Sequence, residues 1–129
     1  VEGMAFDSTV TGHTIRMDGD AGVGGSDSGP RPKPLLLSAL AGCTGMDVIY
    51  ILRKMKIEPT FFHVDIEGRV GTEHPVRYEQ IDLTYQFKST DDLDSHKVET
   101  AVKLSQEKYC GVSAMLKDVS TLTYKIEYV

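Results

Sequence analysis

Two cysteines are the only thiols in the 129-residue chain, and they are the residues best suited to reactive chemistry. Cys43 sits in Ala41-Gly42-Cys43-Thr44-Gly45, where small neighbours let a second backbone or a substrate come close. Asp47 follows four residues later, which on a helix puts its carboxylate on the same face. Cys110 lies in Lys108-Tyr109-Cys110-Gly111-Val112-Ser113, at the close of one helical pattern and the start of the next. A thiol there meets unpaired amides and the positive end of a helix dipole, both of which favour thiolate. Brought together, the pair would form a thiol redox site. Taken singly, each cysteine reads equally as a small packed hydrophobe, and the residues alone leave both readings open.

Metal chemistry is the other use for cysteines. The four histidines, His13, His63, His74 and His96, are scattered singly rather than at paired short spacings, so no metal site and no bound cofactor are expected. A net charge of −5 argues against nucleic acid, which needs a concentrated basic surface. The short run Arg53-Lys54-Met55-Lys56 reads instead as cations at a helix C-terminus. Two cysteines are too few for a secreted disulfide scaffold, and no signal peptide is visible, which points to the cytoplasm. A start at Val1 suggests a trimmed or incomplete N-terminus.

The elements that must carry these residues follow from periodicity. With 40% apolar residues and ordinary length the chain is read as a single domain, 1–129, with a core of its own. Strand patterns over Met4–Val10 and His13–Asp18 meet at Thr11-Gly12 as a hairpin. Asp18 to Lys33 is rich in glycine and proline and is expected to be a flexible loop. From Leu35 to Met55 the residues are apolar nearly all round, which predicts a helix, started at Pro34, that is buried on most faces. Its length approaches that of a membrane span, but Asp47 near its middle and the strands on both sides argue for a core helix and no membrane.

Phe61–Gly71 and Gln80–Lys88 alternate as strands and should pair antiparallel. Ser95–Tyr109 has helical spacing with Asp94 or Ser95 as cap, Val112–Lys117 a second short helix, and Ser120–Val129 a closing strand. The order β-β-α-β-β-α-α-β predicts an α+β fold with mainly antiparallel sheet.

Two segments, Arg31 to Val48 around Cys43 and Ala101 to Ser113 around Cys110, make the chain resemble the OsmC/Ohr family of osmotically inducible and organic hydroperoxide resistance proteins. The resemblance implies an intertwined homodimer with long central helices and active sites at the subunit interface. It also implies that Cys43 attacks an organic hydroperoxide to give a sulfenic acid, that Cys110 resolves it as a disulfide, and that an external dithiol, of dihydrolipoyl type, restores the pair. Peroxide-reducing members place a glutamate ten residues before the attacking cysteine and an arginine in the early strands. Here Lys33 holds the first position and Met4 or Ala5 the second.

Orientation matters because a depressed thiol pKa does little alone. Moving it from about 8.5 to about 6 gains roughly 1.5 log units of thiolate at pH 7. Falling nucleophilicity removes about 1.1 of them, leaving roughly threefold. Donors must therefore align the O–O bond. Arg16, Arg31 and Asp47 are the groups available for that task. The alternative reading, motivated by Lys33, is a non-catalytic dimer of the same fold that holds a small apolar ligand or partner.

Overall fold

The computed structural model describes residues 3–129 and divides into two compact units, one reaching to Leu36 and one spanning Leu37–Val129. In the first, β1 (Phe6–Val10) and β2 (His13–Met17) form an antiparallel hairpin in the register Phe6↔Met17 to Val10↔His13. Its two-residue loop places Thr11 at φ 47° and Gly12 at φ 80°, the doubly left-handed turn that suits strand twist.

The stretch after β2 is organised by Asp18, which is buried. Its carboxylate accepts from the Gly19 amide at 2.7 Å, the Ser26 and Ser28 amides at 3.1 Å each, and the Ser28 hydroxyl at 2.7 Å. These donors, Ser28 first, hold the Asp18 carboxyl far below the usual carboxylate range.

The second unit is built around α1 (Pro34–Lys54), which begins, as expected, at a proline that needs no hydrogen bond there. Arg53 and Lys54 end it against the negative dipole end. Beyond it Lys56 turns left-handed at φ 65°, and the Ile57 amide reaches back to the Leu52 carbonyl at 2.9 Å. The expectation that α1 is buried on most faces is not met: within this chain only one stripe of it is buried, Leu40, Thr44, Val48 and Leu52. Met46 and Tyr50 on other faces are 75% and 62% exposed. By length and composition α1 could cross a membrane. Its buried stripe instead packs into the core with Tyr85, Val98 and Val102.

The sheet runs β3–β4–β5. Strands β3 (Phe62–Val70) and β4 (Tyr78–Phe87) pair antiparallel, as their alternation predicts. Strand β5 (Thr121–Tyr128) lies parallel to β4, which the sequence reading did not foresee. A parallel neighbour requires a crossover, and the two helices between β4 and β5 supply it. Ile81, Leu83, Tyr85 and Phe87 of β4 turn inward as the centre of the core.

Helix α2 (Ser95–Leu104) is capped by Asp94, whose side chain accepts from the amides of His96 and Lys97. A wide π-type turn, Ser105–Tyr109, follows instead of the regular helix expected to reach Tyr109. The extra residue per turn breaks the stripe: Val98, Ala101, Val102 and Ser105 stay buried, whereas Tyr109 swings 53% exposed. Helix α3 (Gly111–Lys117) then starts with Cys110 as its cap. The element order agrees with the α+β expectation, with antiparallel pairing at two of its three ladders.

Candidate active site

Cys43 and Asp47 stand one turn apart on α1, and Cys110 is delivered by the junction between the wide turn and α3. A sulfur of each cysteine and a carboxylate oxygen of Asp47 all lie within 4.8 Å of one another. Residues distant in sequence thus converge on one spot. Both cysteines are free thiols, Cys110 buried and Cys43 half-buried. The Ser113 amide donates to Cys110 Sγ at 3.4 Å, the contact expected of a thiol at a helix start.

Burial chiefly pushes the Cys43 thiol up, followed by hydrogen bonding with Cys110 and by the nearby negative charge of Asp47. The Val112 backbone amide works in the opposite direction. The site therefore favours the neutral thiol of Cys43 from within the Leu37–Val129 unit.

Behind the thiols runs a buried polar network that sequence reading missed. The Thr44 hydroxyl bonds the Tyr85 hydroxyl at 2.6 Å and the Ser105 hydroxyl at 2.7 Å. Ser105 donates to Asp47 Oδ2 at 3.0 Å. Gln106 donates to the Tyr85 hydroxyl at 2.7 Å and accepts from Ser113 at 3.2 Å. Among the described residues no buried side-chain polar atom lacks a partner. The signal that could have found this network is the presence of Thr44 and Ser105 on stripes otherwise made of Leu, Val and Ala, because a polar residue on a core face needs a partner.

The two arginines singled out from sequence belong to the first unit. Arg16 Nε and Nη2 both bind the Asp7 carboxylate, at 2.8 and 2.9 Å. Among the described residues Arg31 donates through Nη1, toward Asp27 at 2.9 Å and the carbonyls of Gly29 and Asp18 at 3.1 and 3.4 Å. A cavity of about 550 Å³ is lined by Asp47, Tyr50, Ile51, Lys54, Leu104 and Tyr109, among others; Asp47 is the residue it shares with the thiol cluster, and neither cysteine lines it.

Comparison with known proteins gives a consistent result. A family model described as OsmC-like protein matches residues 25–125. Protein YhfA of Escherichia coli strain K12 is 35% identical over 130 residues, covering 100% of this chain and 93% of that protein. A hypothetical protein from Aquifex aeolicus VF5 has a similar structure, with TM-score 0.78 and 29% identity over 97% of this chain and 89% of that one. An organic hydroperoxide resistance protein from Legionella pneumophila shares the fold, with TM-score 0.67 and 13% identity over 98% and 97% of the two chains.

Proposed function

Because this chain belongs to the OsmC-like protein family, we propose that it is a thiol-dependent peroxidase that reduces organic hydroperoxides in oxidative stress defence. The observation that carries the reading is the convergence of Cys43 and Cys110 within 4.8 Å in this fold. The solved L. pneumophila protein of the same fold, described as an organic hydroperoxide resistance protein, supports it.

In the proposed cycle the Cys43 sulfur attacks the outer oxygen of ROOH. The O–O bond breaks, ROH leaves with the thiol proton, and Cys43 becomes a sulfenic acid. Cys110 then attacks that sulfur, forming the disulfide and releasing water. An external dithiol, of dihydrolipoyl type, returns both thiols and is itself oxidised. Burial raises the Cys43 thiol, so attack needs a countercharge, and the family resemblance makes Arg16 and Arg31 the proposed sources. Arg16 holds Asp7 through one edge, Nε and Nη2, and Arg31 holds Asp27 through Nη1, so each keeps guanidinium N–H groups without a hydrogen bond among the described residues and both stay in the proposal. Asp47, held by Ser105, is proposed to orient Cys43 and to border the entry cavity.

The working form is proposed to be a homodimer in the cytoplasm. The apolar hollow lined by Gly42, Gly45, Met46, Ile49, Phe62 and Val64 is left open by the single chain, and a second copy is the partner that family membership suggests for it. Sedimentation equilibrium reads this directly: a monomer at micromolar concentration contradicts it.

The raised Cys43 thiol also favours a second reading, a non-catalytic dimer that holds a small apolar molecule in the cavity bordered by Asp47. Turnover separates the two. With dihydrolipoamide in excess, cumene hydroperoxide should be consumed catalytically and Cys43→Ser should consume none. No consumption by the parent protein, with a ligand retained in native mass spectrometry, would leave the second reading standing.

A further inference from the structure

The Cys43, Asp47 and Cys110 cluster has a property that peroxide reduction does not use. A tetrahedral zinc ion, with bonds of about 2.3 Å to sulfur and 2.0–2.2 Å to oxygen, spaces such donors about 3.6–3.8 Å apart. The three donors here already lie within 4.8 Å of one another, so closing on a cation needs shifts of roughly an ångström, within side-chain rotation.

The ligands are also supported. Cys43 and Asp47 project from one face of a long helix, one turn apart, and Cys110 is fixed by the Ser113 amide. Ser105 donates to Oδ2 of Asp47, orienting the carboxylate and leaving its other oxygen for a cation, as hydrogen-bonded ligands do at built sites. Among the described residues no lysine or arginine forms an ion pair with Asp47. Lys54 borders the same cavity, but its ammonium sits over the Tyr50 ring, 4.9 Å from the centroid. Two thiolates with one carboxylate select a soft or borderline cation rather than magnesium or calcium.

We propose that the reduced Cys43–Cys110 pair and Asp47 form a binding site for a soft divalent cation, Zn²⁺ or Cd²⁺, through two sulfurs and one carboxylate oxygen. On binding, one divalent cation replaces the two S–H protons, which leave to solvent; no electrons move. A disulfide removes both sulfur ligands, so occupancy by the cation and oxidation of the pair exclude one another. The inference rests on the donor geometry and holds whether or not the protein turns over hydroperoxide.

Cadmium titrated into reduced, chelator-stripped protein tests it through the ultraviolet thiolate-to-cadmium charge-transfer band. The band should saturate at one cation per chain, disappear in Cys43→Ser, and require about tenfold or more higher cadmium in Asp47→Asn, whose shape is nearly unchanged. Protein oxidised with diamide to the intramolecular disulfide, which needs no substitution, should show no band. Absence of the band in the reduced parent, a titration unaltered in folded Asp47→Asn, or a band that survives disulfide formation overturns the site. Cadmium binding in a protein that consumes no hydroperoxide would remove the peroxidase reading alone.

Discussion

The Ser105 hydroxyl donates to Oδ2 of Asp47 at 3.0 Å, tying the wide turn before Cys110 to the helix that carries Cys43. That one contact couples the thiols to the buried polar core, because Ser105 is also bonded to Thr44 and, through it, to Tyr85. The position of the acid beside the thiols is therefore set by the core, not by solvent.

Asp47 raises the Cys43 thiol by its negative charge, behind the larger effects of burial and of Cys110. Asp47→Asn keeps an acceptor for Ser105 and removes the charge. The pH profile of iodoacetamide alkylation at Cys43, measured by mass spectrometry with chelator present, should move to lower pH in the variant. A profile moved to higher pH would show that Asp47 helps rather than opposes thiolate formation.

Tyr85 is fully buried and its hydroxyl serves both Thr44 and Gln106. Tyr85→Phe leaves two buried polar groups short of a partner, and such groups cost about 1–3 kcal/mol. Urea unfolding should report a loss in that range. A variant as stable as the parent would mean that the network repacks or that water enters it.

Asp18 gives the first unit an acid-sensitive anchor. Its folded-state carboxyl is depressed far below its ordinary value by the Ser28 hydroxyl and the surrounding amides. Between the two values the unfolded chain binds the extra proton, so stability is fully present above about pH 4–5 and falls as pH is lowered toward the folded-state value. Asp18→Asn should flatten this acid limb of the stability curve, read by circular dichroism of the thermal transition. An equally steep limb would place the acid sensitivity elsewhere.

Much of this was legible from residue patterns, for reasons that can be named. The hairpin at Thr11-Gly12, the start of α1 at Pro34 and the cap at Asp94 are local: each is set by backbone chemistry within a few residues. The i, i+4 relation of Cys43 and Asp47 is equally local. The parallel placement of β5 beside β4 is not, since alternation fixes which face a strand buries and says nothing about its neighbour. The wide turn at Ser105–Tyr109 escaped because regular helical spacing was extended through it, and this put Tyr109 on the wrong face. The third donor near the thiols was in view as Asp47. Its proximity to Cys110, however, depends on packing between α1 and the turn before α3, which spacing does not encode.

Single-turnover mapping of the cysteines tests the proposed chemistry most directly. Reduced protein mixed with one equivalent of cumene hydroperoxide should lose both thiols and yield the Cys43–Cys110 disulfide in peptide mass spectra. Cys110→Ser should stop at a sulfenic acid trapped on Cys43 by dimedone. Both thiols remaining free under these conditions, or a sulfenic acid appearing on Cys110 with Cys43 intact, would contradict the assignment of Cys43 as attacker and Cys110 as resolver.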